Sequence, residues 1–390
     1  MSLSMHDRCK HMILGALVAD AAAMGLHWIY DQPHIRNLAP EAPEFTPPTA
    51  KNYEGVPAYF AHPTLAAGAQ SQYGVQSLVM LRALVDAGGR YDPVTYTAAF
   101  RAHFGYGGAY VGYIDHATGD TLDNFRRFND AANACAQALP FDGEARVRNA
   151  LVTKALDQIA RHEGDELAQA YEATVAKDYE DSATRRFAAV LLPALAALPP
   201  ATGASDLQLP AIAKLPPLIS LLVGTDRASD STFDAAVTSA IQITNDHPVA
   251  ADYGRVCAAM MQAALTKGSI PSVIDAGCAA AGSEAAALLD EALEMRARPN
   301  DQVTAHFGMA CDLPFGVPSA VHNIATASSF TQAVRSNIYG GGDSCGRAIL
   351  VGAVMGAVYG VGGARGIPLE WITRLEVKAE VEGLLAALFD

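Results

Sequence analysis

The spacing of glycines near residue 350 restricts the fold more than any other feature of this sequence. Residues 338–363 read IYGGGDSCGRAILVGAVMGAVYGVGG. Gly352, Gly356 and Gly360 recur every four residues, which places them on one face of an α-helix. Because a glycine face carries no side chains, another backbone can approach it closely. The segment therefore predicts a glycine-rich turn and then a tightly packed helix that begins at Ser344, with Asp343 as a candidate cap.

A second helix with a small-residue face is predicted near the start of the sequence. Residues 5–26 have helical apolar spacing, and Gly15, Ala19 and Ala22 lie on a nearly continuous small face. Helical spacing recurs through most of the remaining sequence, and no segment shows sustained polar and apolar alternation with a period of two. The sequence predicts an all-α fold that forms one compact domain from residue 5 to residue 390.

Two proline-rich segments interrupt the helical pattern. Residues 31–68 are too rich in proline for regular helix and too long for an ordinary connection, so a functional loop or a lid over a site is expected. Residues 199–217 are rich in Pro, Ala and Ser, which predicts an internal linker or a long surface loop.

Charge and cysteine content argue against several classes of protein. Acidic residues number 41 against 27 basic ones, which disfavours a nucleic-acid surface. The six cysteines form no CxxC pair, so neither structural zinc nor a disulfide framework is expected, and a cytoplasmic protein with reduced thiols fits best. The longest uncharged apolar run, residues 348–364, is interrupted by glycines and favours a buried helix over a membrane span.

Two polar clusters precede predicted helices and are candidate sites. Ser71, Gln72 and Tyr73 stand before one helix, and the simplest interpretation is a helix start with Ser71 as its cap. Asn245 and His247 lie in a turn before the next helix, where the histidine is either an acid–base residue or a structural one.

Two further clusters are glycine-rich or contain a thiol. Gly341, Gly342 and Ser344 lie at a helix N-terminus, where N–H groups can bind an anion, and Asp343 is either the cap or a carboxylate for a cation or ribose. Arg347 could pair with Asp343 at the i,i+4 spacing or hold a phosphate. The remaining cluster, around Cys311 and His322, lacks the spacing of a known nucleophile pair.

These clusters and the first helix resemble the ADP-ribosylglycohydrolase family. The resemblance is carried by GALVADAAAMGLHW, by residues 70–81, by ITNDHP and most strongly by GGDSCGRAILVGAVMGAVYGVGGARGIPLEW. The last of these, with CDLPFGVPSAVH before it, looks most like the branch that includes the J1 crystallins. The resemblance spans nearly the whole chain and implies an all-α fold that cleaves the bond between ADP-ribose and a protein side chain or related group.

The metal motifs of the family are degenerate in this sequence. In metal-dependent members, a Thr-Asp-Asp triplet and an Asp-x-Asp-Thr run together hold two magnesium ions. Here the triplet falls on Ser71, Gln72 and Tyr73. In the second motif Asp343 is the one matched carboxylate, and the next motif positions are occupied by Cys345 and Gly346. Magnesium prefers hard oxygen ligands. A two-metal site is therefore not expected, and at most one ion would bind, at Asp343.

Three hypotheses for function follow from the resemblance. The first is a hydrolase of an ADP-ribosyl or related ribosyl N- or O-glycoside, on a small molecule or an ADP-ribosylated substrate, with Asp343 as the catalytic carboxylate and Asp20 as a supporting residue. The second is a non-catalytic nucleotide-binding or crystallin-like structural protein on the same fold. The third is a cysteine enzyme that uses Cys311 or Cys345. The residues expected to bind the substrate are Gln72, Tyr73, Asn245, His247, Gly341, Gly342, Ser344 and Arg347.

Overall fold

Helices make up the regular structure of the computed structural model, which describes residues 3–225 and 230–390. Within these ranges, β-pairing is limited to isolated bridges such as the one between Gln208 and Asp312. The all-α prediction is confirmed. In chain order the α-helices are α1 (Met5–Ala23), α2 (Gln32–Leu38), α3 (Gln72–Asp86), α4 (Pro93–Phe104), α5 (His116–Ala138), α6 (Ala145–Arg161), α7 (Gly164–Asp178), α8 (Ser182–Ala196), α9 (Pro210–Ala213), α10 (Leu215–Gly224), α11 (Asp230–Gln242), α12 (Pro248–Thr266), α13 (Ile270–Ala280), α14 (Ser283–Glu294), α15 (Asn300–Phe307), α16 (Leu313–Thr326), α17 (Phe330–Tyr339), α18 (Ser344–Tyr359), α19 (Leu369–Thr373) and α20 (Lys378–Phe389).

The contacts divide these helices into two compact units. The first unit is formed by the described residues of Met1–Gly119 and Ala204–Asp390, and the second by Asp120–Gly203. The second unit contains most of α5 and all of α6, α7 and α8, and its core includes Leu151, Tyr171, Phe187 and Leu191. All the candidate site residues lie in the first unit. The single-domain assignment stays a prediction.

The first unit is organised around the packing of α1 on α18. A Cβ atom at Gly15 would lie 2.2 Å from the Gly352 carbonyl oxygen, and a Cβ atom at Gly356 would lie 2.3 Å from the His11 carbonyl oxygen. The close packing predicted from the glycine spacing is confirmed. It brings the C-terminal part of α1, which carries Asp20, close to the start of α18.

The first helix is also apolar enough to be compared with a membrane span. Met5–Leu26 is long enough and apolar enough to cross a membrane, but 83% of its most apolar 18-residue stretch is buried inside the protein. Such burial is equally typical of the core helix of a soluble protein, so this helix is weak evidence for a membrane location.

The segment at residues 31–68 contains more regular structure than predicted. It includes α2 and a short 3₁₀ helix, Ala50–Tyr53. Pro33 lies in the first turn of α2, where a missing N–H is tolerated, and the Asp31 side chain caps this helix by accepting from the His34 N–H at 2.8 Å. The expectation that proline excludes regular helix here is therefore wrong.

The prediction of a linker or surface loop at residues 199–217 is also wrong for its second half. Helix α9 begins there and α10 follows directly, and residues 209–221 are buried. Pro210 and Pro216 lie in the first turns of these helices, where proline fits the backbone without removing a helix hydrogen bond.

Prolines also lie at the starts of later helices. Pro314 lies in the first turn of α16, where its missing N–H is tolerated.

Candidate functional site

Asp343 lies at the centre of a buried polar region where α18 begins. Its Oδ1 atom accepts the Gly346 N–H at 2.8 Å and so caps α18. Its Oδ2 atom accepts the hydroxyl of Tyr73, from the first turn of α3, at 2.5 Å. Both side chains are buried. Burial raises the pKa of Asp343, and the bonds from Tyr73 and Gly346 oppose that rise.

The glycine-rich turn before α18 uses its own N–H groups within the protein. Gly341 and Gly342 have φ angles of 71° and 59°, and a Cβ atom at Gly342 would lie 2.0 Å from the Met309 carbonyl oxygen. These N–H groups are therefore not free to bind an anion as expected. Ligand binding by Gly341 and Gly342 stays a prediction. The acceptors are Ser336 and Asn337 for Gly340, Ile338 for Gly341, Ile29 for Gly342, Met309 for Asp343, Gly342 for Ser344, His27 for Cys345 and Asp343 for Gly346.

Arg347 supports the same turn from inside the protein. Its Nε donates to Asn337 Oδ1 at 3.0 Å, and its Nη2 donates to the Gly341 carbonyl oxygen. The guanidinium is 1% exposed, and burial lowers its pKa to about 10. Arg347 therefore braces the turn. Its guanidinium forms no hydrogen bond with the Asp343 carboxylate, although each charge favours the ionised form of the other. Its Nη1 atom and the buried Ser344 Oγ have no hydrogen-bond partner among the described residues.

His27, which the sequence did not single out, lies against this turn. Its Nδ1 accepts the Cys345 N–H at 3.3 Å, and its ring stacks on Trp28 with 4.4 Å between centroids. Burial lowers the pKa of His27 well below its usual value, so the ring is neutral. Its distance of 3.7 Å from Asp343 Oδ1 is consequently not an ion pair. Trp28 has a φ angle of 62°, which is strained for a non-glycine residue.

Asp20 fixes the start of α3. Its carboxylate accepts the Ser71 N–H at 2.8 Å and the Ser71 hydroxyl, while Ser71 Oγ caps α3 by accepting the Tyr73 N–H at 3.1 Å. The predicted Ser71 cap is confirmed. A Cβ atom at Gly74 would lie 2.3 Å from Asp20 Oδ2, so glycine leaves room for the carboxylate. Asp20 is completely buried, and this burial raises its pKa to about 7.

Asp20→Asn is expected to reduce the pH dependence of stability. Between the ordinary carboxyl pKa of 3.8 and the folded value of about 7, the folded protein binds more protons than the unfolded chain, so Asp20 lowers the free energy of unfolding as pH rises. The amide can still accept the Ser71 N–H. Urea denaturation of both proteins from about pH 5 to about pH 7 should show a difference in slope of about 1.4 kcal/mol per pH unit. Parallel curves would contradict the elevated pKa.

Gln72 holds a second buried carboxyl group, that of Asp115. Its Oε1 accepts the Asp115 N–H at 2.7 Å, and its Nε2 donates to Thr118 Oγ1 at 2.9 Å. The Asp115 carboxylate accepts the Thr118 N–H at 2.7 Å and the Gln76 amide at 3.3 Å. Burial raises the pKa of Asp115 to about 6. The sequence did not identify Asp115, although Asp-x-x-Thr before a helix is a readable capping signal.

The turn at residues 244–248 makes mainly internal contacts. Asn245 is completely buried, and its Nδ2 donates to Asp206 Oδ1 at 2.9 Å. His247 caps α12, since its Nδ1 accepts the Val249 N–H at 3.2 Å. These contacts agree with a structural role for His247 as a helix cap. Ligand binding by Asn245 and His247 stays a prediction.

Three half-buried side chains are affected by the charge of Asp343 and are called the rim of the site here: Tyr30, Tyr113 and Cys311. Burial is the main cause that raises the pKa of Cys311, and the charges of Asp343 and Asp115 raise it further. The pKa of Tyr113 is raised to about 12, mainly by burial and in addition by charges that include Asp115 and Asp343. A protonated thiol is a weak nucleophile, so the site does not favour a cysteine enzyme at Cys311. Burial also raises the pKa of Cys345.

The residues at the degenerate metal motifs do not fit a magnesium pair. Asp343 and Asp20 already accept bonds from Tyr73 and Ser71, and Tyr73 presents a phenol where magnesium prefers a carboxylate. Burial raises the pKa of this phenol well above its usual value, so it stays protonated. Within residues 3–225 and 230–390, no group of three or more His, Cys, Asp or Glu side chains is arranged to hold a metal ion.

Comparison with known proteins identifies the family. The ADP-ribosylglycohydrolase family model matches residues 1–174 and 149–390. Crystallin J1A of Tripedalia cystophora is 25% identical over 373 residues, covering 94% of this chain and 92% of the relative. Crystallin J1B of the same organism is 23% identical over 378 residues, covering 96% and 93%. These relatives agree with the predicted resemblance to the J1-crystallin branch.

A solved structure shares the fold. It is described as an ADP-ribosylglycohydrolase-related protein complex, with a TM-score of 0.52 and 16% identity over 99% of this chain and 98% of that one. At this identity the likeness concerns the fold alone. Because the family model spans the chain from end to end, the protein belongs to the ADP-ribosylglycohydrolase family.

Proposed function

We propose that this protein hydrolyses a ribosyl N- or O-glycosidic bond, in an ADP-ribosyl or related group, without a two-metal centre. One observation carries the proposal: the first turn of α3 contacts two buried carboxyl residues, since Tyr73 donates to the Asp343 carboxylate and Gln72 accepts the Asp115 N–H. Adjacent residues of one helix therefore bring Asp343 and Asp115 to the same region. Glycoside hydrolysis ordinarily uses such a pair of carboxyl groups.

The two carboxyl groups have different surroundings and suit different roles. Burial raises the pKa of Asp343, and the two hydrogen bonds that it accepts oppose that rise. In its ionised form the carboxylate stabilises the positive charge that develops on the ribosyl ring. Asp115, with a pKa of about 6, can exchange a proton near neutral pH and serves as the general base.

The proposed reaction balances without a metal. The bond between ribosyl C1 and the leaving nitrogen or oxygen breaks, and its electron pair goes to the leaving atom. A water oxygen bonds to C1, and the water gives one proton to Asp115. Asp115 then returns a proton to the leaving group and is ionised again.

The cost of burying these groups supports an active site over a purely structural role. Asp20, Asp115 and Asp343 are carboxyl groups with raised pKa values inside one unit, and each loses solvation by being buried. Perturbed carboxyl groups are more typical of functional sites than of an ordinary core.

The second candidate is a non-catalytic nucleotide-binding or structural protein, which a different observation favours. Both Asp343 oxygens already accept hydrogen bonds, and Asp343 and Asp115 are 0% and 6% exposed. A ligand would reach Asp343 Oδ2 only after the Tyr73 hydroxyl moves. The names of the two crystallin relatives are consistent with this candidate.

A binding and release assay separates the two candidates. ADP-ribose binding is measured by calorimetry with magnesium and with a chelator, and release of ADP-ribose is then measured from peptides modified on arginine or serine. We expect binding and release that are unchanged by the chelator. Release that requires magnesium would contradict the metal-independent reaction. Binding without release would favour the second candidate, and neither binding nor release would contradict both for this ligand.

A further inference from the structure

Three aromatic rings that the proposed reaction does not use lie together beside the buried site. The Trp28 ring contacts Tyr113 edge to face, with 4.8 Å between ring centroids, and lies 5.6 Å from the ring centroid of Tyr59. The ring centroids of Tyr59 and Tyr113 are 5.7 Å apart. Each ring therefore contacts the other two, and we call Trp28, Tyr59 and Tyr113 the aromatic triad.

The aromatic triad is fixed to the turn that carries Asp343. The Trp28 N–H donates to the Gly342 carbonyl oxygen at 2.8 Å, and the Trp28 carbonyl oxygen accepts the Tyr59 N–H at 2.9 Å. The Trp28 ring also stacks on His27, whose Nδ1 atom lies 3.7 Å from Asp343 Oδ1. One intervening ring therefore separates the triad from the carboxylate that is proposed to stabilise charge at ribosyl C1.

Exposure and unpaired polar atoms distinguish the aromatic triad from an ordinary part of the core. Tyr59 is 55% exposed, so its ring is open to a ligand. Trp28 is buried, holds its strained φ angle of 62°, and has an indole N–H without a hydrogen-bond partner among the described residues. A buried donor that is left unpaired costs free energy, and a bound group that accepts from it recovers that cost.

A planar heteroaromatic ring is the kind of ligand that fits these features. Every nucleobase has a π face that stacks on aromatic side chains, and its ring nitrogens can accept a hydrogen bond. The triad lies next to Asp343, where the bond at ribosyl C1 would break. The group attached to C1 is the leaving group, so its position matches that of the triad.

We propose that the aromatic triad binds the leaving group of the substrate, and that this group is a planar heteroaromatic base joined to ribosyl C1 through a ring nitrogen. This inference rests on the proposed function and narrows its substrate class to N-ribosides of such bases. The reaction balances as before. The electron pair of the C1–N bond goes to the ring nitrogen, a water oxygen bonds to C1, and the proton that Asp115 takes from the water is returned to the free base.

The test is to measure the binding of a free base, adenine, to the full-length protein. The chain has two tryptophans, so Trp371→Phe leaves Trp28 as the one fluorescent reporter. Trp371 packs on Phe45 and Phe330, and phenylalanine keeps an aromatic ring there. In this background we expect adenine to quench the fluorescence of Trp28.

Substitution of Tyr59 tests whether the base stacks on the aromatic triad. Tyr59→Ala should weaken adenine binding by about 10- to 100-fold, as expected when a stacking ring is removed, while Tyr59→Phe keeps the ring and should bind like the wild type. Tyr359→Ala is the matched control, because it removes a tyrosine ring at the far end of α18, about 22 Å from the start of that helix. Absence of quenching would overturn the proposal. Equal affinity in Tyr59→Ala, or an equal loss in the control, would also overturn it.

ADP-ribose distinguishes the leaving group from the nucleobase at the other end of an ADP-ribosyl group. If the aromatic triad holds the leaving group, adenine should still bind when ADP-ribose saturates the protein. Competition between the two would assign the triad to the adenine of ADP-ribose and overturn our assignment.

These measurements do not depend on turnover, so the two proposals can fail separately. Adenine binding that depends on Tyr59, in a protein that hydrolyses no ribosyl bond, would support the base site and contradict the hydrolase. Release of ADP-ribose from modified peptides by a protein that does not bind adenine would overturn the role of the triad alone.

Discussion

Replacing Gly352 by valine is expected to destabilise the protein by more than about 3 kcal/mol and to sharply reduce the yield of folded protein. A Cβ atom at this position would lie 2.2 Å from the Gly15 carbonyl oxygen and 2.5 Å from Ala19 Cβ. The first of these is a backbone atom, which cannot turn away as a flexible side chain can. The two helices would have to separate, and the surrounding core would lose contacts along their length.

Gly383→Ala is the matched control for this substitution. Gly383 also lies within a helix, α20, but no atom outside its own helix backbone lies within 4 Å of an added Cβ. Alanine should stabilise this position by about 0.5–1 kcal/mol, because glycine is a poor helix former. Denaturant unfolding of both variants measures the difference. A Gly352→Val protein as stable as wild type would contradict the close approach of α1 and α18.

The glycine packing and the two helix caps could be predicted because their signals are local. Glycines four residues apart necessarily share a helix face, and Ser71 and Asp343 immediately precede the helices they cap. The prediction of a linker or surface loop at residues 199–217 was wrong in its second half for a related reason. Proline ends a helix in its interior but fits its first turn, and composition alone does not show which position each proline occupies.

The site contacts could not be predicted because they join distant parts of the chain. Tyr73 and Asp343 are 270 residues apart, and nothing in either segment indicates that the phenol meets the carboxylate. The same holds for Gln72 and Asp115, which are 43 residues apart, and Asp115 was not recognised as a site residue. The glycine-rich turn was correctly located, but its N–H groups are taken by acceptors such as Ile29 and Met309, which no local pattern reveals.

Asp343→Asn is expected to reduce ribosyl hydrolysis by roughly 10²- to 10⁴-fold. The neutral amide cannot stabilise the positive charge of the oxocarbenium-like state as a carboxylate does. The amide oxygen can still accept the Gly346 N–H, so the cap of α18 is retained. The bond from Tyr73 is weakened, and we expect a loss of about 1 kcal/mol in the free energy of unfolding. Steady-state turnover and denaturant unfolding are measured on the same preparations.

Asp181→Asn provides the control, because it makes the same chemical change at another helix cap. Asp181 caps α8 in the second unit by accepting the Thr184 N–H at 2.7 Å. This variant should keep its helix cap, because asparagine and aspartate cap helices about equally well, and should keep wild-type turnover. Hydrolysis that persists in Asp343→Asn would exclude Asp343 as the charge-stabilising carboxylate. An equal loss of turnover in both variants would show that cap stability, not the Asp343 charge, limits activity. Only a selective loss in Asp343→Asn supports a carboxylate that performs, without a metal pair, the electrostatic part of the reaction.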